Sequence, residues 1–300
     1  MSELTFIDTL RQTVTTSTQV TVGIGDDAAV LDVSCQDQQL IATDTLMEGV
    51  HFDQNCPYSL MGRKALAVNL SDIAAMGGTP ECALVSLCLP TARGLTIGEQ
   101  IMSGMMNLAS EYHVSICGGD TNSWQGPIVI SITITGRPHP VRGAILRHGA
   151  KPGDDIWVSG RLGNSIKGHH LNFKPRINLA KKLLDTAPIS SMIDLSDGLG
   201  TDLKRICDAS RVKATLFSEK VPLSSGLSGE KGLVSAFTDG EDFELLFTAP
   251  PSSSQRIKKL IVDETLTCIG TCHDGDLSMI IDKNGAMLPL TMAGFTHQLT

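Results

Sequence analysis

The sequence predicts a mixed α/β protein of two domains. Three observations lead there. Segments with strand character alternate with segments of helical period in both halves of the chain, the pattern of layered sheets and helices. A length of 300 residues buries a sizeable core and exceeds the usual size of one domain. The break Gly136-Arg-Pro-His-Pro140 interrupts both kinds of pattern, so the boundary falls near residue 137, giving domains 1–137 and 138–300.

Taken in order, residues 3–13 have helical spacing, and short strands at 20–22 and 28–31 flank Gly23-Ile-Gly-Asp-Asp27. The two glycines lack the third glycine and the strand–turn–helix context of a dinucleotide fingerprint. A strand over 39–43 is expected to end at Asp44, followed by the polar loop Glu48–Asp53 around His51. Residues 64–76 read as a helix stopped by Gly77-Gly78. It is almost uncharged and therefore buried on most sides, so Asp72 within it needs a cation or a donor. A strand over 83–89, a methionine-rich amphipathic helix over 97–112 and a strand over 113–117 follow, the last delivering a turn at Gly118-Gly-Asp-Thr121. Residues 128–135 alternate and are β-branched, a strand signature.

Beyond the break, a polar stretch from Leu146 to Asp154 carries Arg147 and Lys151, placed to meet phosphates between the halves. Strands are expected at 155–159, 192–194, 214–217 and 241–248, and helices at 175–186, 201–209 and 252–263. A closing set of strands contains the hairpin turn Asp282-Lys-Asn-Gly285. Neither internal repeats nor low-complexity tracts are present, and strand order cannot be read from the pattern.

The centre of the sequence is Met192-Ile-Asp-Leu-Ser-Asp-Gly-Leu-Gly200, where Asp194 and Asp197 bracket Ser196 between an apolar run and a helix. The same arrangement of acid, small polar residue and glycine recurs at Asp26-Asp27, Thr43-Asp44-Thr45, Asp72, Asp120 and Asp239-Gly-Glu-Asp242. One such acid is a helix cap or turn former. Several brought together repel: two carboxylates ~4 Å apart cost about 1 kcal/mol in water and about 4 at an effective dielectric of 20. Lysines and arginines are sparse around these motifs, so divalent cations are the expected partners. All-oxygen donors select Mg²⁺, with Mn²⁺ as a substitute and Ca²⁺ less suited. Mg²⁺ takes only one or two carboxylates per ion, so this many acids imply several ions and a polyphosphate. The P-loop and the protein-kinase motif set are absent, and the glycine turns offer backbone N–H groups to phosphates instead. No catalytic triad is recognisable; an acceptor that is itself a phosphate, with a second pKa near 6, needs no general base.

Composition bounds the rest. With 41% hydrophobic and 19% charged residues the chain is globular, and its net charge of −8 argues against a nucleic-acid coat or an anionic membrane surface. No apolar run approaches the ~20 residues of a membrane span, and the first residues do not form a secretory signal, so a cytoplasmic location is expected. The eight cysteines are scattered. Cys268, Cys272 and His273 lack a further ligand pair for structural zinc, and reduced thiols are expected.

Read together, Gly23–Ala28, Thr43–His51, Ala65–Asp72, Gly118–Thr121, Ala150–Asp154, Ile193–Leu199 and Gly240–Glu244 resemble, in order and over nearly the whole chain, the thiamine-monophosphate kinases of the aminoimidazole-ribonucleotide-synthetase-like superfamily. The resemblance implies ATP-dependent phosphorylation of thiamine phosphate to thiamine diphosphate by direct in-line transfer with several Mg²⁺ ions. It also implies a homodimer whose N-terminal domains build a shared barrel-like core, beside a C-terminal α/β domain with its sheet covered by helices. By motif, Asp27, Asp44, Asp72, Asp120, Asp194 and Asp197 would hold metal, with Thr43 and Thr45 adding oxygens. Gly119, Asp120, Arg147 and Ser196 would contact ATP, and His51, Glu241 and Phe295 would face thiamine phosphate; no residue acts as covalent nucleophile. Three departures stand out: the 160–176 segment is shorter than in the family, Asp239 replaces a glycine and Phe243 a tyrosine. Two alternatives remain open at this level: another ATP-using enzyme of the superfamily acting on a different acceptor, and a non-catalytic Mg-nucleotide-binding regulator.

Overall fold

The computed structural model describes residues 7, 9, 11–14, 17–34, 37–260, 265–275, 279–281, 285–289 and 294. Residues 7, 9 and 11–13 are helical; the remainder of the helix expected over 3–13, Phe295 and positions 282–284 of the expected hairpin turn lie outside the described residues.

The first half forms a six-stranded sheet in the order β1-β2-β3-β6-β4-β5. Its strands are β1 (Val20–Val22), β2 (Ala29–Asp32), β3 (Gln38–Met47), β4 (Thr79–Pro90), β5 (Ser115–Trp124) and β6 (Val129–Arg137). Only β4 and β5 pair in parallel. Two helices, α1 (Tyr58–Ala75) and α2 (Gly94–Glu111), pack against each other. They approach closely because Gly62 and Gly104 lack side chains: a Cβ at either would fall inside van der Waals contact of the Ile101 or Ser59 carbonyl. One face of the sheet buries Leu40, Ala42, Val85, Leu87, Ile130 and Ile132 in the core. The opposite face stays open within the single chain, and the sheet does not close into a barrel.

The second half forms a seven-stranded sheet, β13-β12-β9-β11-β7-β10-β8. It comprises β7 (Asp155–Ser159), β8 (Ser191–Asp194), β9 (Val212–Phe217), β10 (Leu245–Ala249), β11 (Leu266–Asp274), β12 (Met279–Ile281) and β13 (Met287–Pro289). The helices are α3 (His169–Asn172), α4 (Ile177–Thr186), α5 (Leu199–Ser210), α6 (Gly229–Thr238) and α7 (Pro251–Lys259). Side-chain alternation sorts the sheet into two apolar faces. Trp157, Met192 and Phe247 pack with α4, α7 and the first half, whereas Ile156, Ile193 and Leu246 pack with α5 and α6. The sheet is therefore covered by helices on both faces.

α1 sits at the junction. It touches β3 and β6 on one side and β8, α3 and α4 on the other. Its buried positions run all round the helix, as expected of a largely apolar stretch from Ala65 to Ala75.

Four sequence expectations are corrected. β3 continues through Asp44 to Met47, because Asp44 pairs in register with Ile132 of β6. Gly118–Thr121 is strand, not turn: Gly119 lies so close to the Val85 carbonyl of β4 that no Cβ fits. α1 starts at Tyr58, ahead of the expected 64, because Gly62 is a packing glycine and not a breaker. α6 was not anticipated, since Gly229 and Gly232 obscure its period; Gly232 packs against Leu223 and Leu227. Cys268, Cys272 and His273 lie along β11, and the described residues contain no metal-ligand group that includes them.

Candidate active site

The turn after β8 organises the site. β8 is buried at every position and carries Asp194 to its last residue. Leu195 then hydrogen-bonds through its N–H to the Glu244 carbonyl (2.8 Å), and Gly198, at φ 102°, turns the chain into α5. A Cβ at Gly198 would press on the Phe237 carbonyl, so the turn is available to glycine.

Asp194 meets acids from two other elements. Carboxylate oxygens of Asp27, Asp72 and Asp194 lie within 4.8 Å of one another. Asp44 on β3 brings its carboxyl up to that of Asp72. Burial is the main force on these groups, and the charges of neighbouring carboxylates add to it. Asp194, 3% exposed, is pushed up to about 7 by burial and by Asp27, opposed by the Ser71 hydroxyl that donates to it at 2.6 Å. Burial and the charges of Asp44, Asp194 and Asp27 raise Asp72 well above the usual carboxylate range, and burial raises Asp44. Such a cluster attracts cations.

Part of that charge is met by arginines. The Arg147 guanidinium donates to both Asp27 oxygens (2.8 and 3.3 Å), while its backbone N–H donates to Asp26 (3.0 Å). Burial works against the Arg147 charge, but Asp27 and Asp26 hold its pKa above the ordinary value. Asp197 pairs with Arg205 of α5 (2.6 Å), which also holds the fully buried Asp202 (2.7 Å). The expectation that few cations lie near the acid motifs is thus corrected: Arg147 and Arg205 reach them through the fold.

A cavity of about 510 Å³ opens over the cluster. Asp44, Asp72, Asp194, Ser196 and Asp197 line one part of it. His51, Lys64, Glu241, Phe243 and Ile166 line another. Lys64, on α1, is fully buried and donates to the His51 carbonyl and to Glu241 Oε1, both at 2.6 Å. His51 Nδ1 accepts from the Met47 N–H at 3.0 Å. Glu241 sits at φ 56°, with its N–H bound to the Ser196 carbonyl (2.7 Å) and its carbonyl accepting from Ser165 (2.6 Å). The 240–244 loop is anchored further by Asp242, which accepts from the Gly163 N–H, and by Glu244, which is held by Ser159 and Arg176.

The structure therefore lines one cavity with Asp44, Asp72, Asp194, Asp197, Ser196, His51 and Glu241, and sets Asp27 with its partner Arg147 against the carboxylate cluster. Thr45 lines the cavity, although its hydroxyl bonds to Ser131. Thr43 donates to the Ile132 carbonyl and does not line it. Gly119 and Asp120 are elsewhere: β6 and β4 stand between β5 and β3, about 14 Å at ~4.8 Å per strand. Asp120 is exposed and accepts a hydrogen bond from Asn122. Next to it, Leu87, Leu89, Gly98, Met102, Thr121 and Asn122 line a second, largely apolar groove. Sequence reasoning missed Lys64 and Ile166 as cavity residues, whereas Asp239 and Phe243, expected near the substrate end, do line the cavity. A lysine leading into the apolar run Ala65–Leu70 was the available signal for Lys64; nothing local marked Ile166.

Comparison with known proteins agrees with this geometry. The family model for the N-terminal domain of AIR synthase related protein matches residues 25–137, and that for the C-terminal domain matches residues 145–282. The thiamine-monophosphate kinase of Rhodopirellula baltica is 42% identical over 282 residues, spanning 89% of this chain and 88% of that protein. The Escherichia coli K12 thiamine-monophosphate kinase is 34% identical over 308 residues, spanning 94% and 93%. The solved structure of AaThiL complexed with AMPPCP and TMP superposes with a TM-score of 0.85 at 30% identity, covering 99% of this chain and 97% of that one. Motifs, fold and full-length similarity agree: the chain belongs to the thiamine-monophosphate kinase family of AIR synthase related proteins.

Proposed function

We propose that this protein transfers the γ-phosphoryl group of ATP to thiamine phosphate, giving thiamine diphosphate and ADP. The observation that carries the reading is a single cavity with a buried carboxylate cluster in one part and the His51–Lys64–Glu241 group in another. In the reaction an oxygen of the acceptor phosphate forms a bond to Pγ, and the bond from Pγ to the ADP oxygen breaks. The attacking phosphate is largely ionised at neutral pH, in line with a site that presents no general base.

The donor set fits Mg²⁺: Asp27, Asp72 and Asp194 offer oxygens within 4.8 Å of one another, with Asp44 and Asp197 beside them. Mg²⁺, when bound, supplies charge neutralisation for the phosphates. Arg147 and the backbone around Ser196 orient the phosphates, and Arg147 fixes Asp27 for that purpose. His51 and Glu241 face the acceptor, with Phe295 assigned there by motif. The apolar groove beside Asp120 suits the base of ATP.

Gly119, Asp120 and Thr43 take part through a homodimer. Thr45, Ser131, Ser86 and Asp120 align in register across the open face of the first sheet. A second copy packed on that face would complete a barrel-like core and carry its Asp120 towards the other protomer's site. The two domains divide near residue 137, and the reaction takes place in the cytoplasm. No helix among the described residues is long and apolar enough to cross a membrane.

The test is product formation from ATP and thiamine phosphate with and without Mg²⁺, resolving thiamine diphosphate from ADP. Equal amounts of the two products, formed only with Mg²⁺, are expected. ADP formation without thiamine diphosphate would overturn the acceptor assignment, and no Mg²⁺-dependent turnover would overturn the reading.

A further inference from the structure

Lys64 is a buried charge outside the carboxylate cluster. It is a fully buried ammonium on a helix whose other buried residues are apolar or small and polar. Removing a lysine charge from water costs several kcal/mol, and a buried ion pair recovers this only with good geometry, so such a pair is poor evidence of a purely stabilising role. Burial pulls the Lys64 pKa down, and the Glu241 carboxylate opposes that pull.

The geometry of its partners is specific. Its Nζ holds two segments remote in sequence, the turn around His51 and the loop around Glu241, each through an oxygen at 2.6 Å. Both partner residues line the cavity. Each has a further anchor: the Met47 N–H donates to the His51 ring, and the Ser196 carbonyl and Ser165 hydroxyl hold the backbone of Glu241 in a left-handed conformation. Glu241 keeps 23% of its side chain exposed, while the ammonium has none. Lys64 therefore belongs to the buried wall of the cavity and ties the two residues together there.

We infer that Lys64 is the positioning residue of the acceptor subsite, holding the His51 turn and the Glu241 carboxylate in the arrangement that receives thiamine phosphate. The inference rests on the proposed function and deepens it by naming what sets acceptor affinity. Lys64 acts through its partners and not on the transferring phosphoryl group. Its removal should therefore weaken acceptor binding and leave ATP binding alone.

The experiment measures kcat and KM for both substrates on the full-length protein with Mg²⁺, comparing wild type with Lys64→Met, Lys64→Arg, Glu241→Gln and the Lys64→Met/Glu241→Gln double variant. Methionine keeps the apolar stem without the charge. A charge-assisted hydrogen bond lost at the subsite predicts that Lys64→Met raises the KM for thiamine phosphate about ten- to hundred-fold with the KM for ATP within about two-fold. Lys64→Arg, which keeps the charge, should recover part of that loss. The double variant should be little worse than the more affected single variant, because the residues act as one unit. An unchanged acceptor KM in Lys64→Met, equal changes in both KM values, or independent effects in the double variant would each overturn the inference. Should Lys64→Met fail to fold, the Lys64→Arg and Glu241→Gln values decide: an unchanged acceptor KM in Glu241→Gln overturns it. A wild-type protein that forms no thiamine diphosphate would overturn the parent reading and this inference with it, whereas failure of the variants to behave as stated removes this inference alone.

Discussion

Replacing Asp194 by asparagine should stabilise the metal-free protein at neutral and alkaline pH. The carboxyl is 3% exposed, and burial with the nearby Asp27 charge raises its pKa from 3.8 to about 7. A carboxyl whose pKa is higher folded than unfolded binds its proton more tightly in the folded state. Its contribution is therefore most favourable at low pH and is lost as pH rises from about 4 to about 7. At about 1.36 kcal/mol per pH unit, the difference corresponds to about 4 kcal/mol at pH 8. Asparagine removes that term and keeps an oxygen to accept from Ser71, now 2.6 Å from the carboxylate. Its amide can donate to the Asp27 or Asp72 carboxylate within the same cluster. The net gain is about 2–4 kcal/mol, on the order of 5 °C in Tm for a chain of this size. The assay is thermal unfolding in chelator at pH 5 and pH 8, then with added Mg²⁺. Wild type should lose stability between the two pH values without metal, Asp194→Asn should lose less, and Mg²⁺ should raise wild type more than the variant. An Asp194→Asn protein that melts below wild type in chelator at pH 8, or an identical pH slope in both, would refute the argument from buried repulsion.

Asp72→Asn should reduce thiamine diphosphate formation to background while the protein stays folded by circular dichroism; wild-type turnover in that variant would remove Asp72 from the metal set. Arg147→Met leaves Asp27, with 2% of its side chain exposed, without its counter-charge. A loss of about 3 kcal/mol in denaturant unfolding at pH 7 is expected, partly restored by Asp27→Asn; an unchanged midpoint would show that the pair contributes nothing. Asp120→Asn and Asp72→Asn, each inactive alone, should regain about a quarter of wild-type activity when refolded together if each site draws on both protomers. That value follows because about half the dimers are mixed and one of their two sites is intact. Persistent inactivity of the mixture would place Asp120 in its own protomer's site or outside any site.

Much of the site was legible from local patterns because acids such as Asp194 and Asp72 follow apolar runs. Asp194 at the end of β8 and Asp72 on α1 are found where the pattern puts them. Asp44 was recognised as a site residue but misplaced at a strand end, since a polar residue on a half-buried strand looks locally like a boundary. The glycines of β5 misled in the same way: Gly119 admits the Val85 carbonyl, a close approach that only the paired strand reveals. The arginines and Lys64 went unseen as partners because Arg147 and Asp27 lie 120 residues apart and Lys64 and Glu241 lie 177 apart.

The sequence by itself determined the mixed α/β character, the burial of α1 and the set of acids that need cations. These follow from periodicity, from the cost of burying charge and from the chemistry of oxygen donors, all of which act over short stretches. Only the tertiary structure decided which acids meet, which cations answer them and which face of the first sheet stays open. Strand pairing sets those outcomes: a side chain on a strand points to one face or the other according to register. Thr45, Ser131, Ser86 and Asp120 thereby align across the open face, while Asp44, one residue from Thr45, turns to the helix side and joins Asp72.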